Sequence, residues 1–221
     1  MEQAEAPERP LRKDAERNRQ RILVAARELF AQHGLGVTLN DVAHHAGVGV
    51  GTVYRRFPEK SQLIEELFEQ QIGELVALME EALEDPDPWR GLTGFLRRNL
   101  ELQTRDRAFR EIVMGTPDGA QRVGQIRARM FPLGGRLVQR AKDVGALRAD
   151  FQPADFPILV LMLAAIVDAS REIEPELWRR YLEIVIQGLR ANPTPPDALS
   201  NPPLDPDQVP NVMAAFKLPR R

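Results

Sequence analysis

The sequence predicts an all-α fold: a three-helix head containing a helix-turn-helix, then a larger helical body, about nine helices together. Three observations predict it. Apolar residues recur at three- and four-residue spacing over long segments, and no segment alternates with the period of two that a half-buried strand needs. The breaks between segments fall on Gly or Pro, at Gly34, Gly47, Pro58, Pro86, Pro88, Gly115, Gly145 and Pro153. Between Thr38 and Lys60, two short segments with apolar faces flank Gly47.

The first expected helix runs from about Asp14 to His33, with Ile22, Ala25, Ala26, Leu29 and Phe30 on one stripe and Gly34 closing it. Residues 1–13 ahead of it are expected to be a flexible arm carrying Arg9, Arg12 and Lys13. Thr38 stands where an N-cap hydroxyl is wanted, with Asp41 three residues on, and Leu39, Val42, Ala43 and Ala46 give the next helix its inner face. Gly47 can take the left-handed conformation that ends it, and Val48 plugs the turn. In the following helix Val53 and Phe57 face inward. Val50, Gly51, Thr52, Tyr54, Arg55 and Arg56 are left on the outer side and leading end, before Pro58.

Such a pair is a helix-turn-helix with an exposed basic second helix, the element that enters a major groove. The expected DNA contacts are Val50 and Gly51 for close approach, Thr52 for phosphate or base, Tyr54 and Lys60 as phosphate anchors, and Arg55 and Arg56 for guanine. Thr38 and Asn40 are expected to grip the backbone through the positive end of their helix. Gly49, Val50 and Gly51 are poor in hydrogen-bonding groups, so base discrimination is expected to be modest or to lean on shape.

The segment ending in Phe30, the run T-L-x-D-V-A-x-x-A-G-V from Thr38 to Val48, and G-T-V-Y-R-R-F-P-x-K from Gly51 to Lys60 together resemble the tetracycline-repressor (TetR) family of transcriptional regulators. The resemblance covers the first quarter to third of the chain. It implies that the position of Arg56 touches DNA while that of Arg55 varies more, and that Gly49 replaces a frequent capping Ser or Thr. It also implies that the last two helices form a dimer interface.

Charge is divided along the chain. Residues 9–60 carry ten Lys and Arg against five Asp and Glu; residues 1–8 carry three Glu, and residues 61–221 sum to −4 within a net charge of −2. A basic head on an acidic body suits a protein that neutralises phosphates with one part only. There is no cysteine, which excludes disulfides, thiolate nucleophiles and Cys-ligated zinc and fits a reducing compartment. The N-terminus has no apolar signal core and the longest apolar run, Ile158–Val167, has ten residues, so a cytoplasmic location without membrane spans is expected.

Beyond Lys60, a long amphipathic helix carries Leu63, Ile64, Leu67, Phe68, Ile72, Leu75, Val76, Met79 and Leu83 to the Asp85-Pro86-Asp87-Pro88 break. Further helices are expected from Pro88, from about Asp106 to Met114, from about Ala120 to Val144 with a kink near Pro132, and over Ala154–Ser170 and Glu174–Leu189. The last two are apolar over more than one face. A second copy of the chain is the economical cover, through Leu161, Ala165, Ala169, Tyr181, Val185 and Leu189.

The expected domains are therefore a head at 14–60, an effector-binding and dimerisation body at 61–190, and a tail at 191–221 that holds eight prolines and is expected to be mostly disordered. Met79, Trp89, Phe95, Phe109, Met114, Met130, Phe131 and Met162 supply material for an apolar effector pocket, although each also suits an ordinary core. No catalytic residue, cofactor or metal site is expected: the body has no His, no Gly-x-Ser-x-Gly occurs, and His33, His44 and His45 lack a third ligand at metal spacing. The expected function is a homodimeric regulator on a palindromic double-stranded DNA operator, a repressor released by a small lipophilic ligand. An effector-independent DNA-binding or structural protein is the alternative.

Overall fold

The computed structural model describes residues 8–105, 112, 119–192, 203, 205–208 and 212. Among them are eight α-helices: α1 Glu8–His33, α2 Leu39–Ala46, α3 Val50–Arg56, α4 Lys60–Glu84, α5 Pro88–Arg105, α6 Gly119–Asp143, α7 Asp155–Ser170 and α8 Leu177–Leu189. A 3-10 turn, Gly34–Gly36, follows α1. The short helix expected at Asp106–Met114 lies outside the described residues except for Ile112, which is helical and buried. The tail beyond Asn192 is described only at isolated positions.

The chain divides into two compact units, with α4 passing from the first to the second between Gln70 and Gln71. In the first unit, Ile22, Ala26 and Phe30 of α1, Val42 and Ala43 of α2, Val53 and Phe57 at α3, and Leu63 and Phe68 of α4 are all buried. These are the apolar positions that the helical spacing selects, so hydrophobic burial alone orients each of the four helices. Helix α1 begins at Glu8. Residues 8–13 are thus helical rather than part of an arm, because no proline or glycine after Pro10 interrupts the run and Pro10 is tolerated in a first turn.

The second unit packs one core from five helices, including Met79, Leu92, Phe95, Leu96, Leu100, Leu137, Val138, Phe156, Leu163, Trp178 and Leu182. The Phe95 and Phe156 rings meet at 5.7 Å. Gly91 lets α5 cross α4: a Cβ there would lie 2.3 Å from the Ala82 carbonyl oxygen. Asp87 caps α5, its Oδ1 accepting from the amides of Trp89 (2.9 Å) and Arg90 (3.2 Å), with Pro88 at the first position where no amide is missed. Arg140 of α6 closes the other side of the break by donating to the carbonyls of Leu83 (2.5 Å) and Asp85 (3.0 Å).

Helix α6 is assigned without interruption through Pro132. Helix α8 starts at Leu177, three residues later than the apolar pattern suggests, because Pro175 disfavours the helical conformation at Glu174. The loop between α6 and α7 forms a minimal antiparallel bridge, Leu147 to Arg190, with the segment that follows α8. Arg148 N–H donates to Leu189 O (2.9 Å) and Ala191 N–H to Ala146 O (3.0 Å), anchoring the end of α8.

Candidate nucleic-acid interface

The helix-turn-helix is closed by three local devices. Thr38 and Asp41 form a reciprocal capping box: the Thr38 hydroxyl accepts from Asp41 N–H (3.2 Å), and Asp41 Oδ2 accepts from Thr38 N–H (2.8 Å) and hydroxyl (2.7 Å). These bonds hold the Asp41 carboxyl below its ordinary range, the Thr38 hydroxyl contributing most. Gly47 takes φ +61° and Val48 N–H returns to Ala43 O at 3.1 Å, satisfying the carbonyls that end α2. Arg21 of α1 then donates to the carbonyls of Ala46 (2.7 Å) and Gly47 (3.1 Å) from across the head.

Helix α3 is capped at Gly49 by backbone only, with Thr52 N–H donating to Gly49 O at 2.8 Å. Burial of Val53 and Phe57 turns the opposite side outward. Gly51, Tyr54, Arg55 and Arg56 are exposed, and Val50 and Thr52 half-buried. Tyr54 is 45% exposed, a large ring on the outer side of the helix. A Cβ at Gly51 would meet no atom within 4 Å, so internal packing does not require glycine there.

Two expected contacts are placed differently. Lys60 is half-buried; its ammonium bonds the Leu35 carbonyl and lies 5.8 Å from the Phe30 ring centre, and burial lowers its pKa. It therefore ties α4 to the turn after α1, so its ammonium is engaged within the head. Thr38 has its hydroxyl and amide committed to Asp41, whose carboxylate already occupies the positive end of α2. Asn40 beside it is exposed. Arg56 lies 5.3 Å over the Phe57 ring and 3.5 Å from Glu66 of α4, while Arg55 is exposed. Arg21 and Glu66 carry no sequence signal for these roles, since their partners stand 25 and ten residues away on other elements.

In the second unit, Met79 and Phe95 are buried in the core, and Trp89, Met130 and Phe131 are half-buried. Arg190 covers Trp89 at 5.1 Å. Phe109 and Met114 lie outside the described residues. Met162 is 50% exposed on α7, on the side away from the core. Of the expected dimer positions, Ala169 and Tyr181 are exposed and Leu161, Ala165 and Val185 half-buried, whereas Leu189 is buried in its own core. The bridge at Arg190 turns that last residue of α8 inward. Ile184, 53% exposed, lies instead on the open side with Met162 and Tyr181.

A basic, outward-facing second helix braced by α1 and α4, followed by a separate helical unit, defines the class of helix-turn-helix transcriptional regulators. Residues 22–67 match the model of bacterial regulatory proteins of the tetR family, and residues 87–191 match that of the SbtR-like transcriptional regulator C-terminal domain. A TetR transcription regulatory protein from Mycobacterium vanbaalenii is 31% identical, with a TM-score of 0.61 over 82% of this chain and 99% of that one. TetR transcriptional regulator SCO0520 from Streptomyces coelicolor is 26% identical, with a TM-score of 0.62 over 79% and 99% of the two chains. An HTH-type transcriptional regulator of Staphylococcus aureus is 46% identical over 54 residues, which span 24% of this chain and 29% of that relative. The chain belongs to the TetR family, a family of transcriptional regulators rather than enzymes. Among the described residues, no helix is long and apolar enough to cross a membrane.

Proposed function

We propose that this chain acts as a homodimeric repressor that binds a palindromic DNA operator through α3 and leaves it when a small lipophilic ligand fills the body. The observation that carries the reading is the outer face of α3. Tyr54, Arg55 and Arg56 stand exposed on a helix whose inner residues are fully buried, so the helix is rigid and its polar groups are presented to a partner. In this reading Gly51 gives the backbone close approach, Val50 and Thr52 meet base edges or phosphate, and Asn40 adds a contact from α2.

Dimerisation is supported by the open apolar side of α7 and α8, where Met162, Tyr181 and Ile184 join Leu161, Ala165, Ala169 and Val185. A dimer through such a four-helix interface would present two heads, and DNA binding by both requires them to match the roughly 34 to 36 Å between successive major grooves. Effector response is supported by the apolar character of the body, where Trp89 and Met130 pack partly buried against the core that holds Met79 and Phe95, and by α4, one continuous helix that runs from one unit into the other. A protein 27% identical over 79% of this chain was described in the control of antibiotic production by bacterial hormones, which favours small-molecule control here. A coupling of about 1 to 3 kcal/mol between ligand and DNA lowers operator affinity about 5- to 150-fold.

Selection of bound duplexes from a random pool tests the reading. A palindromic consensus is expected. Failure to enrich any sequence, or a bound species with one protomer per duplex, overturns it.

A further inference from the structure

Glu66, in the second turn of α4, faces guanidinium groups from two other helices. Arg19 of α1 pairs with Glu66 Oε1, and Arg56, the last residue of α3, lies 3.5 Å from Oε2. Glu66 is the more enclosed partner: its side chain is 19% exposed and that of Arg56 50%. Arg19 is held in turn by Glu16, 2.8 Å away on α1. The Phe57 ring supports the Arg56 guanidinium from beneath at 5.3 Å. Arg56 is therefore fixed by a carboxylate and an aromatic face while half of it stays open. Neighbouring Arg55 is exposed.

A carboxylate beside a surface that meets phosphates weakens attraction to any duplex, since it cancels part of the charge that displaces counterions. Its benefit lies in orientation. An arginine already held in one geometry loses less side-chain freedom on a matching contact and gains less from a phosphate elsewhere. We infer that Glu66 is the positioning residue for Arg56, trading general DNA affinity for discrimination between operator and random sequence. The inference rests on α3 being the DNA-facing helix. Because α4 is also the helix that leaves the head, the carboxylate that sets Arg56 travels with it.

The test is binding of the full-length chain to an operator duplex and to a random duplex across a salt titration. Wild type is compared with Glu66→Gln, Glu66→Asp, Arg56→Ala and the Arg56→Ala/Glu66→Gln pair. Glu66→Gln is expected to bind random duplex several-fold tighter, to steepen the log–log salt slope by up to about 0.9 per protomer, and to lower the operator-to-random ratio. Glu66→Asp, one methylene shorter but still able to reach Arg19, is expected to move both readings the same way by less. With Arg56 removed, Glu66→Gln is expected to leave the operator-to-random ratio unchanged and to move the slope by less than it does when Arg56 is present.

Unchanged ratio and slope in folded Glu66→Gln and Glu66→Asp overturn the inference. So does an equal effect of Glu66→Gln with and without Arg56, which would make Glu66 a plain negative charge. Should Glu66→Gln not fold, Glu66→Asp decides by the same criteria. A wild type that shows no salt-dependent DNA binding instead overturns the DNA-facing reading of α3, and this inference with it.

Discussion

The guanidinium of Arg21 on α1 donates to the carbonyl of Ala46 at 2.7 Å, so the first helix closes the end of the second from 25 residues away. The same group lies 3.0 Å from where a Cβ on Gly47 would sit. A bracing helix, a left-handed turn and the recognition helix thus depend on one contact.

Arg21→Met removes a charged donor from two carbonyls and is expected to destabilise the head by about 1 to 2 kcal/mol. Gly47→Ala is expected to cost a similar amount, about 1 to 2 kcal/mol, through the positive φ, with the crowding of Arg21 added. Urea unfolding checks both, and DNA affinity should fall with the stability.

Tyr54→Ala and Arg55→Ala change side chains on the exposed face of α3. Each is expected to leave unfolding within about 0.5 kcal/mol of wild type. Tyr54→Ala is expected to weaken operator binding several-fold, and Arg55→Ala to flatten the salt dependence by up to about one unit if it meets phosphate. Lys60→Met should behave in the opposite way. Its loss frees the Leu35 carbonyl, so stability changes while the salt slope does not, as paired unfolding and binding titrations would show.

The head should weaken in acid through Asp41. Its folded pKa is lowered below the ordinary value of 3.8, so the unfolded chain binds more protons and the contribution is fully present above that value. It is lost as pH falls through the lower, folded value. Asp41→Asn keeps part of the cap without the titration, and its unfolding midpoint should vary less with pH below about 4 than that of wild type.

Ile184→Glu and Leu189→Ala separate the interface from the core. The first puts a charge on the open side of α8 and is expected to give a protomer of 25.0 kDa by analytical ultracentrifugation with its helix content retained. The second empties a buried site and is expected to destabilise the fold by about 2 to 3 kcal/mol, because a cavity remains.

Much of the head was legible from spacing alone. The capping pair Thr38 and Asp41, the turn at Gly47, and inward Val53 and Phe57 all follow from rules that act within four residues, and all stand as expected. Helix α1 begins ahead of the Asp14 that spacing suggests, because a charged run such as Arg12-Lys13 is compatible with either an arm or a helix. Lys60 reads locally as a DNA contact because it is a cation after a recognition helix. Its acceptor, Leu35, lies 25 residues back and cannot be found by local reading.

In the body, spacing identified which residues are apolar but not which side of α7 and α8 each one takes. Helix α7 is apolar nearly all round, so periodicity carries little direction there, whereas α8 has a clear inner stripe of Trp178, Leu182 and Leu189 with further apolar residues beside it. Met162 points outward and Leu189 inward because of packing against α5 and the Leu147–Arg190 bridge. Local chemistry along the chain determined the helices, their ends and the basic recognition surface, since caps, turns and amphipathic stripes are short-range effects. Only tertiary structure decided that Arg21 locks the turn, that Glu66 holds Arg56 and that Lys60 is enclosed. Long side chains choose partners by distance in space, and that distance exists only once the helices have packed.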